Sequence, residues 1–349
     1  MSWIDYFLVL FGASWAGVGL FRWYAVRKGM LDAPNDRRSH KEPKPRGGGI
    51  IFIVGSAILA GALYSQHIID VNQLVYFVPA LVVGLLGFLD DKYALSASIR
   101  FIVQFICAAA MLFLLKEGGY LLKDYINIPL PLSFILMTTA VVWFTNLFNF
   151  MDGIDGVAAT EALFCLSVGG FMIFQSQGYE YATFAWGVCA LVAGFLTWNW
   201  PNAKIFMGDS GSGFLGFIIA AFALVGCKLF NTSIIVWLIL TSMFWFDATV
   251  TLLRRVWAKE KWYQPHRKHA YQRMAQSGWS HGKVLVSTMF INTILSGMTL
   301  WAFYRPQLAE IILMMSVAFL SAIYILVELT KPMFYNYHMD IKRIEDMHN

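Results

Sequence analysis

Apolar stretches of about 20 residues, separated by short polar breaks, recur along the whole chain. Runs of that length, coiled as α-helix, match the hydrocarbon thickness of a bilayer. The pattern predicts eleven helices, at about 3–25, 48–66, 72–89, 99–116, 132–148, 157–175, 181–198, 212–229, 232–252, 284–304 and 307–328. Short hairpins fall at 66–71, 175–180, 231–233 and 305–307. A helix satisfies its own backbone hydrogen bonds in hydrocarbon, whereas an open sheet or a lipid-exposed loop does not. The expected fold is therefore all-α, a polytopic integral membrane helical bundle. No linker divides residues 1–349, which read as a single domain. The first apolar stretch is long enough to span and has no basic segment before it, unlike a cleaved signal peptide.

The polar positions set an orientation. With the N-terminus outside, the segments 27–48, 89–100, 149–156, 199–211 and 253–283 and the C-terminal tail share one face. Together with Arg22 they carry 22 of the 26 Lys and Arg residues, leaving Lys116, Lys123, Lys228 and Arg305 on the other. Basic loops stay in the cytoplasm, so the expected topology is N-terminus outside and C-terminus cytoplasmic. Asp90, Asp91, Asp152, Asp155, Asp209 and Asp247 fall at the same face. Separate parts of the chain thus bring carboxylates to one membrane level.

Composition agrees: 58% of residues are hydrophobic and 13% charged. The net charge of +5 fits basic loops against anionic lipid better than a nucleic-acid surface. Cys107, Cys165, Cys189 and Cys227 each fall inside a predicted span, as small apolar core residues and not as disulfides or metal ligands. His67, His281, His338 and His348 are isolated and receive no role. Glu161, early in the sixth helix, is either a bundle hydrogen bond or a site residue.

Five segments of the basic face carry candidate chemistry. The first runs from Arg37 and Arg38 through His40, Lys41, Lys44 and Arg46 to Gly47, Gly48 and Gly49, then straight into a helix. Glycine amides at a helix start, beside Arg46, suit a diphosphate; the run serves equally as a positive-inside anchor. The second, Asp90-Asp91-Lys92, can position a divalent cation, with Lys92 toward phosphate, or is a polar helix stop. In the third, Asn146, Asn149 and Asp152 repeat every three residues and so stack on one side of a helical turn; Gly153, Asp155 and Gly156 follow. That side can hold a uracil, a ribose or a metal-bound water, or caps a helix pair.

The fourth segment runs from Asn199 and Asn202 through Lys204 and Phe206 to Gly208, Asp209, Ser210 and Gly211. Asp209 is the candidate Mg²⁺ ligand, since Mg²⁺ takes one or two carboxylates and fills its octahedron with waters and substrate phosphates. Ser and Gly amides there can cradle phosphate, and Phe206 can stack on a base. The fifth is the long loop with Arg254, Arg255, His266, Arg267, Lys268, His269, Gln272 and Arg273. Its histidines, three apart, share a face with Gln272; with no cysteine or third ligand nearby, a phosphate or sugar contact fits better than zinc. A solvated basic loop on lipid headgroups is the alternative. Asp247, near the end of the ninth helix, can pair with a basic residue or shape the site.

As an ordered set, these motifs make the chain resemble the polyprenyl-phosphate N-acetylhexosamine-1-phosphate transferases, relatives of the phospho-MurNAc-pentapeptide translocase. The resemblance covers almost the whole chain, from His40–Gly49 to His266–Gln272. It implies Mg²⁺-dependent transfer, with Mn²⁺ as a substitute, from a UDP-N-acetylhexosamine to undecaprenyl phosphate with release of UMP. The expected place is the bacterial inner membrane, with the active site facing the cytoplasm. By resemblance, Asp209 is the metal ligand, and Asp90 and Asp91 are the essential acidic pair. Asn149, Asp152 and Asp155 are nucleotide-site residues, supported by Asn146, Asn199 and Phe206; His266 and His269 are the histidine motif. Many relatives have a tighter histidine motif. The spacing here is more similar to members that initiate O-antigen and related surface polysaccharides. Oligomeric state stays open, a homodimer included, as does the sugar.

The implied reaction is attack by a lipid phosphate oxygen on the β-phosphorus of the sugar nucleotide. A phosphate monoester is mostly dianionic at neutral pH, so a strong base adds little. One displacement is expected, with Asp90 or Asp91 orienting or deprotonating the lipid phosphate; an aspartyl-phosphate route is the alternative. A secondary transporter is the rival class. Transporter sites lie near the bilayer midplane between repeats, whereas these carboxylates gather at one face.

Overall fold

A computed structural model describes residues 3–32, 43–116, 128–261, 264 and 266–334. Arg37, Arg38, His40, Lys41, Lys123, His338 and His348 lie outside the described residues.

The bundle opens with α1 (Trp3–Arg27) and a two-residue antiparallel ladder of β1 (Leu31–Asp32) with β2 (Lys44–Pro45). Next come α2 (Ile50–Ser65), a short α3 (Val71–Leu74) that continues through a 3₁₀ turn into α4 (Val78–Tyr93), α5 (Ala97–Leu114) and α6 (Leu130–Phe150). Then follow α7 (Val157–Gln175), α8 (Tyr179–Asn199), α9 (Gly208–Phe230), α10 (Ile234–Leu240) and α11 (Ser242–Trp257). The last elements are α12 (Ala270–Gln276), α13 (His281–Tyr304) and α14 (Ala309–Thr330). Among the described residues, nine helices are long and apolar enough to cross a membrane, and the protein is a multi-pass membrane protein. Helix α2 is apolar but shorter, at 16 residues.

Position follows from hydrophobicity around the whole helix circumference. Helix α9 is apolar all round and mostly buried, packed against α4 and α6. Helices α7 and α8 pack on each other, and α1 covers α8 from outside with Ile4, Leu8 and Leu20 left exposed. The four described cysteines are buried and unbridged. Glu161 settles as a bundle contact: its Oε2 accepts from Asn292 Nδ2 at 2.6 Å, tying α7 to α13.

The predicted helix 232–252 departs from expectation. It is broken into α10 and α11, bent by 76° at Thr241. At the break Thr241 Oγ1 donates to Trp237 O at 2.8 Å and Ser242 Oγ to Ile239 O at 2.7 Å. Such bonds compete with the helical ladder, but Thr138 and Thr145 make them inside the unbroken α6, so they accompany the break and do not by themselves cause it. The Leu238 carbonyl accepts from Trp245 Nε1 at 2.8 Å, so it is not stranded in hydrocarbon.

Candidate active site

The helix ends α4, α6 and α9 meet at one face of the bundle. Asp90 and Asp91 are adjacent on α4, so their side chains leave the axis about 100° apart. They therefore reach different partners. Asp91 turns to the start of α9, where its Oδ1 accepts the Asp209 N–H at 3.0 Å. Its Oδ2 accepts the Ser210 N–H at 3.2 Å and Ser210 Oγ at 3.0 Å. Arg46 Nε donates to Asp91 Oδ1 at 3.0 Å, and its Nη2 contacts the same oxygen. The Asp91 side chain is fully buried. A helix N-terminus attracts an anion, and here the chain's own carboxylate is that anion.

Asp90 instead accepts the Leu95 N–H at 2.7 Å and Arg100 Nη1 at 2.8 Å. The same Arg100 nitrogen lies 3.7 Å from Asp209 Oδ2, and Arg46 Nη2 lies 4.0 Å from it. Asn149 Nδ2 donates to Asp209 Oδ1 at 3.4 Å. Asp90 and Asp209 thus share the Arg100 guanidinium. Of the three acids, only Asp209 keeps a third of its side chain exposed. Beside them, burial and then the charges of Asp209, Asp155 and Asp91 push the Asp152 carboxyl up to about 7.

Gly208 makes this meeting possible. Its φ is +77°, and a Cβ there would sit 2.3 Å from Asp91 Oδ2. Gly49 allows a second close approach, since a Cβ would lie 2.3 Å from the Gly211 Cα. The glycine run of the first motif is used differently from expectation. The N–H groups of Gly48 and Gly49 donate to Phe206 O and Met207 O, both at 2.9 Å, and the Phe206 N–H donates to Pro45 O at 2.9 Å. The Gly48 amide therefore docks one loop on the other and is not aimed at an anion. The Ser210 amide, expected to cradle phosphate, is likewise taken by Asp91, as is the Asp209 amide.

A second node holds Asp155. Its Oδ2 accepts the Ala203 N–H at 3.0 Å and lies 3.3 Å from His281 Nδ1 and 4.0 Å from Lys44 Nζ. Burial raises its pKa, but His281, Ala203 and Lys44 outweigh that and hold the carboxyl below the usual range. The Lys44 ammonium is 5.6 Å from the centre of the Phe206 ring, so an aromatic face and a charged group lie side by side. Asn199 serves as a clamp here: its Oδ1 accepts the Gly156 N–H and its Nδ2 donates to Ile205 O, both at 2.9 Å.

The histidine loop closes the third side. The rings of His266 and His269 are 4.8 Å apart, but the helix begins only at Ala270, so the two histidines do not share a helical face with Gln272. Burial, reinforced by His269, Arg255 and Lys268, pushes His266 down to about 3, so it is neutral at neutral pH. His269 Nδ1 lies 3.5 Å from Asp247 Oδ1, and both Asp247 oxygens accept the Ala270 N–H, at 3.0 and 2.9 Å. Asp247 thus caps α12. Tyr271 on α12 accepts the Gly153 N–H at 3.0 Å, and Gln272 lies against Gly153. Arg267 O accepts from Gln276 Nε2 at 2.6 Å.

Two expected residues lie elsewhere. Asn146 donates to Gln104 Oε1 at 2.6 Å and to Val142 O at 2.8 Å, joining α6 to α5 and not facing Asp209. One helical turn separates Asn146 from Asn149, and the α5 neighbour captures it. Lys92 is exposed, its ammonium 4.9 Å from the Tyr93 ring centre. Arg100, His281 and Tyr271 were not singled out by the sequence, although Arg100 lies one turn into the helix after the acidic pair.

The donor chemistry suits a hard divalent cation. Three carboxylates face two guanidinium groups, and the exposed Asp209 offers oxygen alone. Among the described residues no three His, Cys, Asp or Glu side chains form a closed cage; an open site of one or two carboxylates is what Mg²⁺ uses with phosphate substrates.

These features define a multi-pass membrane protein with an acidic, arginine-lined site at one end of its bundle. Residues 73–227 match the model of glycosyl transferase family 4. The chain is 31% identical to a probable undecaprenyl-phosphate N-acetylglucosaminyl 1-phosphate transferase of Bacillus subtilis, over 78% of this chain and 77% of the relative. It is 31% identical to a decaprenyl-phosphate N-acetylglucosaminephosphotransferase of Mycolicibacterium smegmatis, over 89% and 84%. It is 25% identical to an undecaprenyl-phosphate alpha-N-acetylglucosaminyl 1-phosphate transferase of Salmonella typhi, over 88% and 85%. The chain belongs to the polyprenyl-phosphate N-acetylglucosaminyl-1-phosphate transferase family.

Proposed function

We propose that the protein transfers an N-acetylhexosamine-1-phosphate from a UDP-sugar to undecaprenyl phosphate at the cytoplasmic face of the bacterial inner membrane. The observation that carries this reading is the convergence of Asp90, Asp91, Asp152 and Asp209 with Arg46 and Arg100, in a chain of this family. The relatives' names favour N-acetylglucosamine as the sugar. The spacing of His266 and His269 favours a role in starting O-antigen or a related surface polysaccharide.

Asp209 and oxygens of the diphosphate would hold Mg²⁺, which supplies charge stabilisation on the departing UMP. Asp91 acts through structure: it fixes the start of α9 and so aims Asp209. Arg100, held by Asp90 and close to Asp209, is placed to bind the lipid phosphate as a charged fork. Asp90 orients that guanidinium. Lys44, Phe206 and the Asp155 node form the wall for the nucleotide, and Tyr271 holds the loop that carries Asp152.

An oxygen of the lipid phosphate forms a bond to the β-phosphorus, and the bond from that phosphorus to the bridging oxygen breaks. The bridging oxygen leaves with UMP. The dianionic lipid phosphate needs little help from a base, which favours one displacement. A panel of UDP-N-acetylglucosamine, UDP-N-acetylgalactosamine and 6-deoxy-N-acetylhexosamine donors, with undecaprenyl phosphate and Mg²⁺ in detergent, tests the reading. One donor is expected to release UMP faster than the others. A donor carrying a chiral β-phosphorus is expected to give inversion; retention contradicts single displacement.

A further inference from the structure

Helix α12 has seven residues, too few to hold its conformation unaided. Its position therefore depends on tertiary anchors, and they come from three parts of the chain. Asp247 of α11 caps its start. Gly153 of the α6–α7 loop donates to Tyr271. Two residues on, and so on nearly the opposite side of the helix, Arg273 runs into the bundle.

Arg273 is only 2% exposed. Its guanidinium carbon lies 4.9 Å from the Tyr324 ring centre, and its Nη1 donates to Lys331 O at 2.9 Å. The same nitrogen binds Glu328 Oε2. Arg254, from α11, grips both oxygens of Glu328, with Nη2 to Oε1 at 2.9 Å. The Met333 N–H adds a bond to Oε1 at 3.1 Å. One carboxylate on the last helix thus fastens the bent span and α12 together. A guanidinium as buried as Arg273 needs its counter-charge in place, and Glu328 supplies it.

We propose that Glu328 is a positioning residue for the transfer reaction: through Arg273 it holds α12, and through Tyr271 it fixes the loop carrying Asp152. This rests on the transferase reading. Glu328 bonds Arg254, Arg273 and the Met333 N–H and none of the acidic-site residues, so its loss acts on geometry.

Glu328→Gln removes the charge and keeps the shape. Its kcat for UMP release is expected to fall about tenfold, with KM for the sugar nucleotide changed less than about threefold. Tyr271→Phe cuts the same chain of contacts. The two losses should therefore not multiply: in the Tyr271→Phe background, Glu328→Gln should cost less than about threefold further. Hydrogen exchange, read on the full chain in detergent without substrate, should speed up at residues 152–156 in Glu328→Gln. Glu328→Asp, which keeps the charge on a shorter arm, should show the same exchange change at smaller amplitude and covers the case of a poorly folding Gln variant. Unchanged kcat in Glu328→Gln, fully multiplicative losses, or faster exchange confined to residues 328–333 would overturn the proposal. Absence of UMP release by the unaltered protein would count against the transferase reading alone, and the exchange comparison would still decide this one.

Discussion

Asp209→Asn is expected to lower UMP release by at least about 10³-fold while the protein inserts and folds as before. The substitution is nearly isosteric and removes one charge. A neutral amide is a poor oxygen donor to a divalent cation, which relies on carboxylate charge. The fold should not notice. The Asp209 side chain is a third exposed and meets Asn149 only at 3.4 Å. What anchors the helix start is the Asp209 backbone N–H on Asp91, and the Asn variant keeps it. Turnover and the thermal midpoint in detergent, measured on the same preparation, check this; near-normal turnover refutes the metal-binding role of Asp209.

Asp91→Ala should be inactive for a different reason. The buried carboxylate receives two backbone N–H groups, one hydroxyl and a guanidinium. Alanine leaves the Arg46 charge and the start of α9 without their acceptor. Breaking a buried pair by removing one partner costs about 3–5 kcal/mol. The expected result is loss of turnover together with a clearly lowered thermal midpoint. A midpoint equal to that of the unaltered protein would contradict the assignment of Asp91 to the helix start. Two acids at one face thus give the same loss of activity, one with stability kept and the other with stability lowered.

That contrast marks where the sequence stops being informative. The helices were legible because hydropathy repeats with the bilayer's own length scale, and the shared face of the carboxylates was legible from charge asymmetry. Adjacent Asp90 and Asp91 look alike as letters; only the helical rotation between them sends one to α9 and the other to Arg100. Arg100 itself is one basic residue among many at that face until Asp90 and Asp209 are seen around it. His281 looked isolated because its partner Asp155 is far away along the chain. The break at Thr241 lies inside a long apolar run, which a hydropathy average reads straight through. Glycine presented the reverse problem. Gly48 and Gly49 fit an anion-binding loop by type, yet their amides are spent on Phe206 and Met207.

In the proposed transfer, acids and arginines from distant helix ends act together on a diphosphate, and the bond beside the β-phosphorus is the one that breaks. Identifying the nucleotide released, with purified protein, UDP-N-acetylglucosamine, undecaprenyl phosphate and Mg²⁺, tests it most directly. UMP should appear in equal amount with a lipid-linked sugar diphosphate, and neither should form with Asp209→Asn. Release of UDP, which places the broken bond at the sugar carbon, or UMP formation that survives Asp209→Asn, would contradict it.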